Sequence, residues 1–186
     1  MFLRGLILCL LLLGPAPGRA FAGTSGYPCN EACLAKHEAD YQAAVHSKQT
    51  GEALAALIGI ASHHRSRAEW APALDAVARG RRELAAEQWP AGLALDVDLA
   101  EANALMQLDR LDEAFQVFAG VRQRSRDIGD PLHEAQALVG LSSVQARSRD
   151  LEASWQLADE ARAIARAAGS ATWEAYALLR QANVAL

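Results

Sequence analysis

The sequence predicts an all-α protein, built as a superhelix of antiparallel helical hairpins. After the N-terminal segment alanine is abundant, whereas proline, valine, threonine and the aromatic residues are sparse. This composition favours helices throughout the chain over any sheet.

An internal repeat is the second observation behind this prediction. The stretch from Gly129 to Gly169 holds two helix-length halves around a polar break at 148–150. A hairpin that returns at a fixed period is typical of a solenoid, in which each hairpin buries its apolar face on its neighbours. The opening residues of the stretch recur about 40 positions later: Gly129 with Gly169, Glu134 with Glu174, Ala135 with Ala175 and Leu138 with Leu178.

Residues 1–22 have the pattern of a secretory signal peptide. Arg4 supplies the positive start, Leu6 to Leu13 is an unbroken apolar run, and Ala20-Phe21-Ala22 offers small residues for a cut before Gly23. A cut after Ala20 is the alternative. The apolar run is far shorter than the roughly 20 residues that a membrane-spanning helix needs. We therefore expect an exported protein, periplasmic or secreted.

The charge balance argues against nucleic acid as a partner. The formal net charge is −4, and the signal peptide carries Arg4 and Arg19 without an acid, so the mature chain is more acidic. Phosphate backbones require a basic face, which this composition does not provide. No segment after residue 22 is apolar enough to span a bilayer.

Residues 23–49 are predicted to be a flexible lead-in followed by one cysteine-containing helix, capped by Asn30 and running to about Ser47. Residues 50–186 are predicted to be a repeat array of about three hairpins plus a C-terminal helix. Its first helix covers about 52–65, with Thr50 as a candidate cap. The next runs from near Pro72, in the first turn, to about Gln88.

The later helices are separated by clear breaks. Residues 89–92, Trp-Pro-Ala-Gly, form the first break, and a helix over about 93–108 follows. Asp109 is predicted to cap the next helix, which Gly129 ends. Asp130 then caps a helix with Pro131 at its first position, so that 132–147 and 151–168 form a hairpin. Ser170 caps a last helix that reaches the C-terminus.

The chain resembles tetratricopeptide repeats of the longer variety, about 40 residues each, over residues 50–186. The family has a small residue at the start of each second helix, which is matched here by Ala73, Ala114 and Ala153. It has a bulky residue four positions later, which is matched by Val77, Phe118 and Leu157. The family's Trp-x-x-Leu-Gly-x-x-Tyr signature is not present. The resemblance implies a right-handed solenoid whose concave groove, lined by the first helix of each hairpin, binds a peptide or protein.

Four polar residues fall on equivalent positions of these first helices, while the positions four residues earlier are mostly apolar. An asparagine in a groove can bond a peptide backbone through both its donor and its acceptor. The alternative is that all four are simply solvated positions of amphipathic helices. The candidate partner-binding residues are His63, Asn103, Ser143 and Asn183.

The N-terminal helix carries Cys29, Cys33 and His37 at steps of four residues, which places them on one side of a helix. Three interpretations stay open: a Cys29–Cys33 disulfide, unpaired or intermolecular thiols, and a Cu(I) or zinc site that lacks a fourth ligand in this segment. His46, His63 and His64 are candidates for that ligand. An oxidising compartment favours the disulfide, so we expect no bound metal and no cofactor.

No sequence motif for catalysis occurs: H-E-x-x-H, G-x-S-x-G, the P-loop and a Gly-rich dinucleotide turn are all missing. The sequence therefore predicts a non-enzymatic scaffold for a protein or peptide partner. A periplasmic sensory or regulatory domain, and a small redox or metal protein using Cys29, Cys33 and His37, are the alternatives. Apolar residues spread around the last helix, such as Tyr176 and Leu179, also predict either a homodimer through that helix or a partner that covers it.

Overall fold

A computed structural model describes residues 30–184, and in this range the chain forms eight α-helices, one short 3₁₀ helix and no strand. The predicted signal peptide, the lead-in, Cys29 and residues 185–186 lie outside the described residues. The helices are α1 (Glu31–His46), α2 (Thr50–Ser66), α3 (Trp70–Glu83), α4 (Ala91–Gln107), α5 (Leu111–Ile128), α6 (Pro131–Arg147), α7 (Leu151–Ala167) and α8 (Ala171–Val184).

Each helix packs on the next one along the chain, and the alternate helices α2, α4, α6 and α8 also contact their nearest equivalents. The pairs α2–α3, α4–α5 and α6–α7 are the three hairpins, with α1 and α8 at the two ends. The predicted fold class, an all-α superhelix of helical hairpins, is confirmed. Because α2, α4 and α6 lie side by side, the spaces between them are where a groove can form.

The turns between helices share one backbone device, a single residue in the left-handed region. Six of the eight helices are followed by a hydrogen bond from the N–H of the residue after the left-handed one to a carbonyl five residues back, such as Asp130 N to Ser125 O at 2.8 Å. This is the Schellman pattern, which satisfies the carbonyls at a helix end. The left-handed residues are Lys48, Ala68, Asp109, Gly129, Arg149 and Gly169.

The prediction that Asp109 caps α5 is wrong. Asp109 is itself the left-handed turn residue, with φ 63°, and the N-cap position belongs to Arg110, whose side chain makes no capping hydrogen bond. Aspartate tolerates the left-handed region better than most residues, so it suits the turn as well as it suits a cap. The caps predicted at Asn30 and Asp130 are confirmed, since each side chain accepts from backbone N–H groups.

The second predicted helix of the array differs in its bounds. α3 begins at Trp70, so that Pro72 lies in its first turn as expected, but it ends at Glu83 rather than near Gln88. An extended residue, Leu84, follows, and then the 3₁₀ helix Ala86–Gln88. Leu84 and Trp89 pack against the core of the first hairpin, and this burial holds the segment in an irregular path.

Small residues allow the helices to cross closely, but one predicted position is off by a residue. Ala73 and Ala114 are buried as expected, whereas in α7 the fully buried small residue is Ser154 and Ala153 is only half-buried. Ser154 donates to the Ser142 carbonyl of α6 at 2.8 Å, and Ser142 donates to the Ser154 carbonyl at the same distance. These reciprocal bonds fix the register of the third hairpin.

A buried carboxylate ties three helices together. Asp98 of α4 is 3% exposed, and it accepts from Arg81 of α3 at 2.5 Å and from Arg124 of α5. Both guanidinium groups are about half exposed to solvent, so the ion pairs lie at the edge of the core. A buried carboxylate is retained in a fold only when it is paired in this way.

Two glycines make a matched test of this packing. A Cβ at Gly140 of α6 would overlap the ring of buried Phe118, whereas a Cβ at Gly120 of α5 has no atom within 4 Å. We expect Gly140→Ala to lower the free energy of unfolding by about 1–3 kcal/mol, as overpacking does. We expect Gly120→Ala to raise it by about 0.5–1 kcal/mol, because alanine loses less entropy in a helix. Urea unfolding measures both, and equal effects of the two substitutions would contradict the packing described here.

Candidate functional site

The structure gives the four predicted groove residues different environments. His63 is 1% exposed and Ser143 is 9% exposed, Asn103 is half-buried, and Asn183 is exposed. The Asn103 amide donates to the Leu99 carbonyl at 2.7 Å, and the Ser143 hydroxyl donates to the Val139 carbonyl at 2.8 Å. Of the four, only Asn103 and Asn183 present a polar side chain that an incoming partner can reach directly.

Asn103 lies in the wall of a cavity of about 170 Å³ between the first two hairpins. Its polar wall comes from three first helices: Ser62 and Arg65 of α2, Asp96 and Asn103 of α4, and Gln136 of α6. Its apolar wall includes Trp70 at the start of α3 and Leu99. The cavity thus combines one guanidinium, one carboxylate and two amides with an apolar surface.

A histidine between two carboxylates holds one edge of this cavity. The ring of His133, in the first turn of α6, bonds Asp96 of α4 at 3.1 Å through Nε2 and Asp130 at 2.6 Å through Nδ1. The pKa of His133 is raised above its ordinary value, and the hydrogen bond to Asp96 is the largest cause. Burial lowers the pKa, but the contacts with Asp96 and Asp130 together outweigh it. The ring therefore ties α6 to α4 and orients the Asp96 carboxylate.

Asp130 is held in its charged form by the same residue. Burial acts to raise the pKa of Asp130, but the His133 backbone N–H and ring outweigh it, and the pKa lies below its ordinary value. Asp130 also accepts from the Leu132 N–H at 3.2 Å as the N-cap of α6. The carboxylate thus serves both as a helix cap and as a partner of the imidazole.

A second, more open cavity of about 450 Å³ lies between α5, α6 and α7. It is lined by Phe115, Leu157 and polar residues that include Gln145 and Gln156. Glu160 accepts from Arg122 at 2.5 Å and from Arg126 at 2.7 Å across its wall. These charges are already paired with one another, so this cavity offers fewer unmatched groups to a ligand than the first.

The predicted cysteine cluster is only partly within the described residues. Cys33 is half-buried on α1, and Cys29 lies outside, so the Cys29–Cys33 disulfide stays a prediction. The His37 ring packs over Gly59 of α2, where a Cβ would lie 2.6 Å from two ring atoms. His37 therefore has a structural role in docking α1 on α2.

The C-terminal helix exposes large apolar side chains. Tyr176, Leu178 and Leu179 are all between two-fifths and one-half exposed, while Ala177 is fully buried against α6 and α7. The homodimer predicted through this helix stays a prediction.

Sequence reasoning missed the residues that complete the cavity around Asn103. Asp96 and Gln136 occupy equivalent positions of α4 and α6, about 40 residues apart, so the same spacing argument could have found them. It also missed Glu69, which lies beside His64. Among the described residues, the only group of three side chains suited to holding a metal ion is His63, His64 and Glu69.

Comparison with known proteins leaves the family open. No protein-family model matches the chain, and no curated protein matches it either. The resemblance to tetratricopeptide repeats therefore stays a prediction. Within residues 30–184, no helix is both long and apolar enough to cross a membrane.

The His133 network predicts a pH dependence with a definite sign. Because its folded pKa is raised above the ordinary 6.5, His133 contributes stability that is fully present below that value and is lost as pH rises through the folded pKa. The stability difference between the parent and His133→Gln should therefore be largest near pH 6 and shrink above it. Urea unfolding from pH 5.5 to 8.5 measures this, with exposed His46→Gln as control. A difference that grows with pH would contradict the network.

Proposed function

We propose that this protein is a non-enzymatic, tetratricopeptide-like scaffold that holds an extended peptide segment of a protein partner in the groove between α2, α4 and α6. The observation that carries the proposal is the cavity around Asn103. Side chains from three consecutive first helices converge there, and they include both charges and two amides beside an apolar wall. Sites that bind ligands combine these features: an apolar surface and a few placed polar groups.

A peptide backbone suits this lining. Its carbonyls and N–H groups alternate, and the amides of Asn103 and Gln136 each offer a donor and an acceptor. An apolar peptide side chain would contact Trp70 and Leu99. Arg65 would favour an acidic group of the peptide, and Asp96 would favour a basic one. The salt dependence of binding would then be modest, because each sign of charge occurs once.

Export to the periplasm or the exterior is part of the same proposal. Its support is the N-terminal pattern of a positive residue, an apolar run and a small-residue cleavage site. The disulfide between Cys29 and Cys33 belongs to that environment. A role as a sensory or regulatory domain of a signalling system is the alternative, and an open reading frame that continues downstream into a signalling domain would favour it.

The binding test begins with peptides selected from a random library on the purified protein, followed by fluorescence anisotropy. We expect Asn103→Ala and Gln136→Ala each to weaken binding about tenfold, which is about 1.4 kcal/mol, by removing hydrogen bonds to the peptide backbone. The matched control is Gln107→Ala, an exposed position on the same helix outside the cavity.

The substitution at Asn103 should leave thermal stability nearly unchanged, because the Leu99 carbonyl that it contacts remains within the helix. A drop in melting temperature would mean that lost binding reflects unfolding. Selected peptides that bind the parent, the two cavity variants and the control equally would contradict the proposed groove.

A further inference from the structure

The turn between α2 and α3 brings together two imidazoles and a carboxylate. His63 and His64 are consecutive near the end of α2, and Glu69 is the residue immediately before α3. One ligand atom from each of the three lies within 4.8 Å of the others. The rings of His63 and His64 meet edge to face, with centroids 5.3 Å apart.

His63 has an unsatisfied nitrogen in this cluster. The residue is 1% exposed, and its Nδ1 has no hydrogen-bond partner among the described residues. The other buried side-chain atoms without such a partner in the described range are nitrogens of arginine and tryptophan, which only donate. An imidazole nitrogen, in contrast, can accept, and the neutral ring is the commonest metal ligand in proteins.

His64 and Glu69 are already placed in contact. His64 Nδ1 lies 2.7 Å from Glu69 Oε2, and this bond, followed by that from Arg67, lowers the pKa of Glu69. An ionised carboxylate only accepts hydrogen bonds, so His64 Nδ1 is the donor here. The Glu69 side chain is 37% exposed, which leaves the cluster open to an ion from solvent.

The backbone fixes the three residues relative to one another. Ala68 takes a left-handed conformation with φ 58°, and the Glu69 N–H donates to the His64 carbonyl at 2.9 Å. The Ser66 hydroxyl donates to the His63 carbonyl at 2.7 Å. The turn therefore presents Glu69 to His64 without help from a distant element, and an ion bound there would join the end of α2 to the residue that precedes α3.

We propose that His63, His64 and Glu69 bind one divalent transition-metal ion of the zinc class. Two nitrogens and one carboxylate oxygen are a ligand set that zinc accepts, with water at a fourth position. Calcium and magnesium prefer oxygen ligands alone. This site is independent of the proposed groove function.

Binding requires only small side-chain movements. At zinc bond lengths of about 2.0–2.2 Å, tetrahedral ligand atoms lie roughly 3.3 Å apart, so His63 must approach the pair while His64 and Glu69 separate slightly. When the metal takes the place of the proton at His64 Nδ1, the neutral ring carries its proton on Nε2 instead, by exchange with solvent. Arg67, which bonds the other Glu69 oxygen at 2.9 Å, is half exposed and can turn into solvent.

The test is titration of Zn²⁺ into protein purified after expression of the full-length chain, first treated with EDTA and then dialysed. Isothermal titration calorimetry should show saturable uptake of one ion per chain at this site, and the melting temperature should rise with Zn²⁺ because the ion binds the folded state. Glu69→Gln and His64→Gln should each weaken uptake by roughly tenfold or more, since even residues that merely orient a ligand have effects of that size.

Two controls keep the proposal falsifiable. His63→Gln changes a buried residue and can unfold the protein, so the partly exposed Glu69 and His64 carry the test. His46→Gln removes an exposed imidazole on α1 and Cys33→Ser removes the other candidate site, and both should bind Zn²⁺ like the parent. No saturable uptake, or uptake unchanged in Glu69→Gln and His64→Gln, would overturn the proposed site.

Discussion

The superhelix depends on short turns in which one residue takes a left-handed backbone. Such a residue reverses the chain within a few positions and lets the next N–H groups satisfy the carbonyls at the helix end. Because each turn consumes so few residues, consecutive helices lie antiparallel and in contact. The turn after α3 is the exception: Leu84 and Trp89 pack against the core, and the connection is longer and irregular.

The sequence revealed these turns only where glycine supplies them. Gly129 and Gly169 mark their turns, since glycine enters the left-handed region without steric cost. Nothing in the residue type of Ala68 or Arg149 predicts a left-handed turn. At both positions the packing of the flanking helices imposes the left-handed backbone, which these residues disfavour. Asp109 gave a misleading signal, since aspartate suits both a helix cap and a left-handed turn. Helix number and fold class were predictable from periodicity, which tolerates such local errors.

The candidate site was less predictable than the fold. The repeat spacing predicted that four residues lie in one row along the groove. The structure instead buries His63 and places Asn103 in a cavity wall. Equivalent positions differ because the neighbouring helices differ between the end of a solenoid and its middle. Sequence spacing could not show that Glu69 contacts His64. The metal and groove proposals both rest on contacts between elements, which a linear pattern does not contain.

The central claim is that left-handed turns hold the hairpins together, and Arg149→Gly tests it most directly. Arg149 is exposed with φ 65°, so glycine should relieve backbone strain and raise the free energy of unfolding, by up to about 1 kcal/mol. Gln116→Gly, at an exposed site inside α5, should lower it by about 0.5–1 kcal/mol. If urea unfolding shows that both substitutions destabilise the protein equally, the left-handed turn at Arg149 is contradicted.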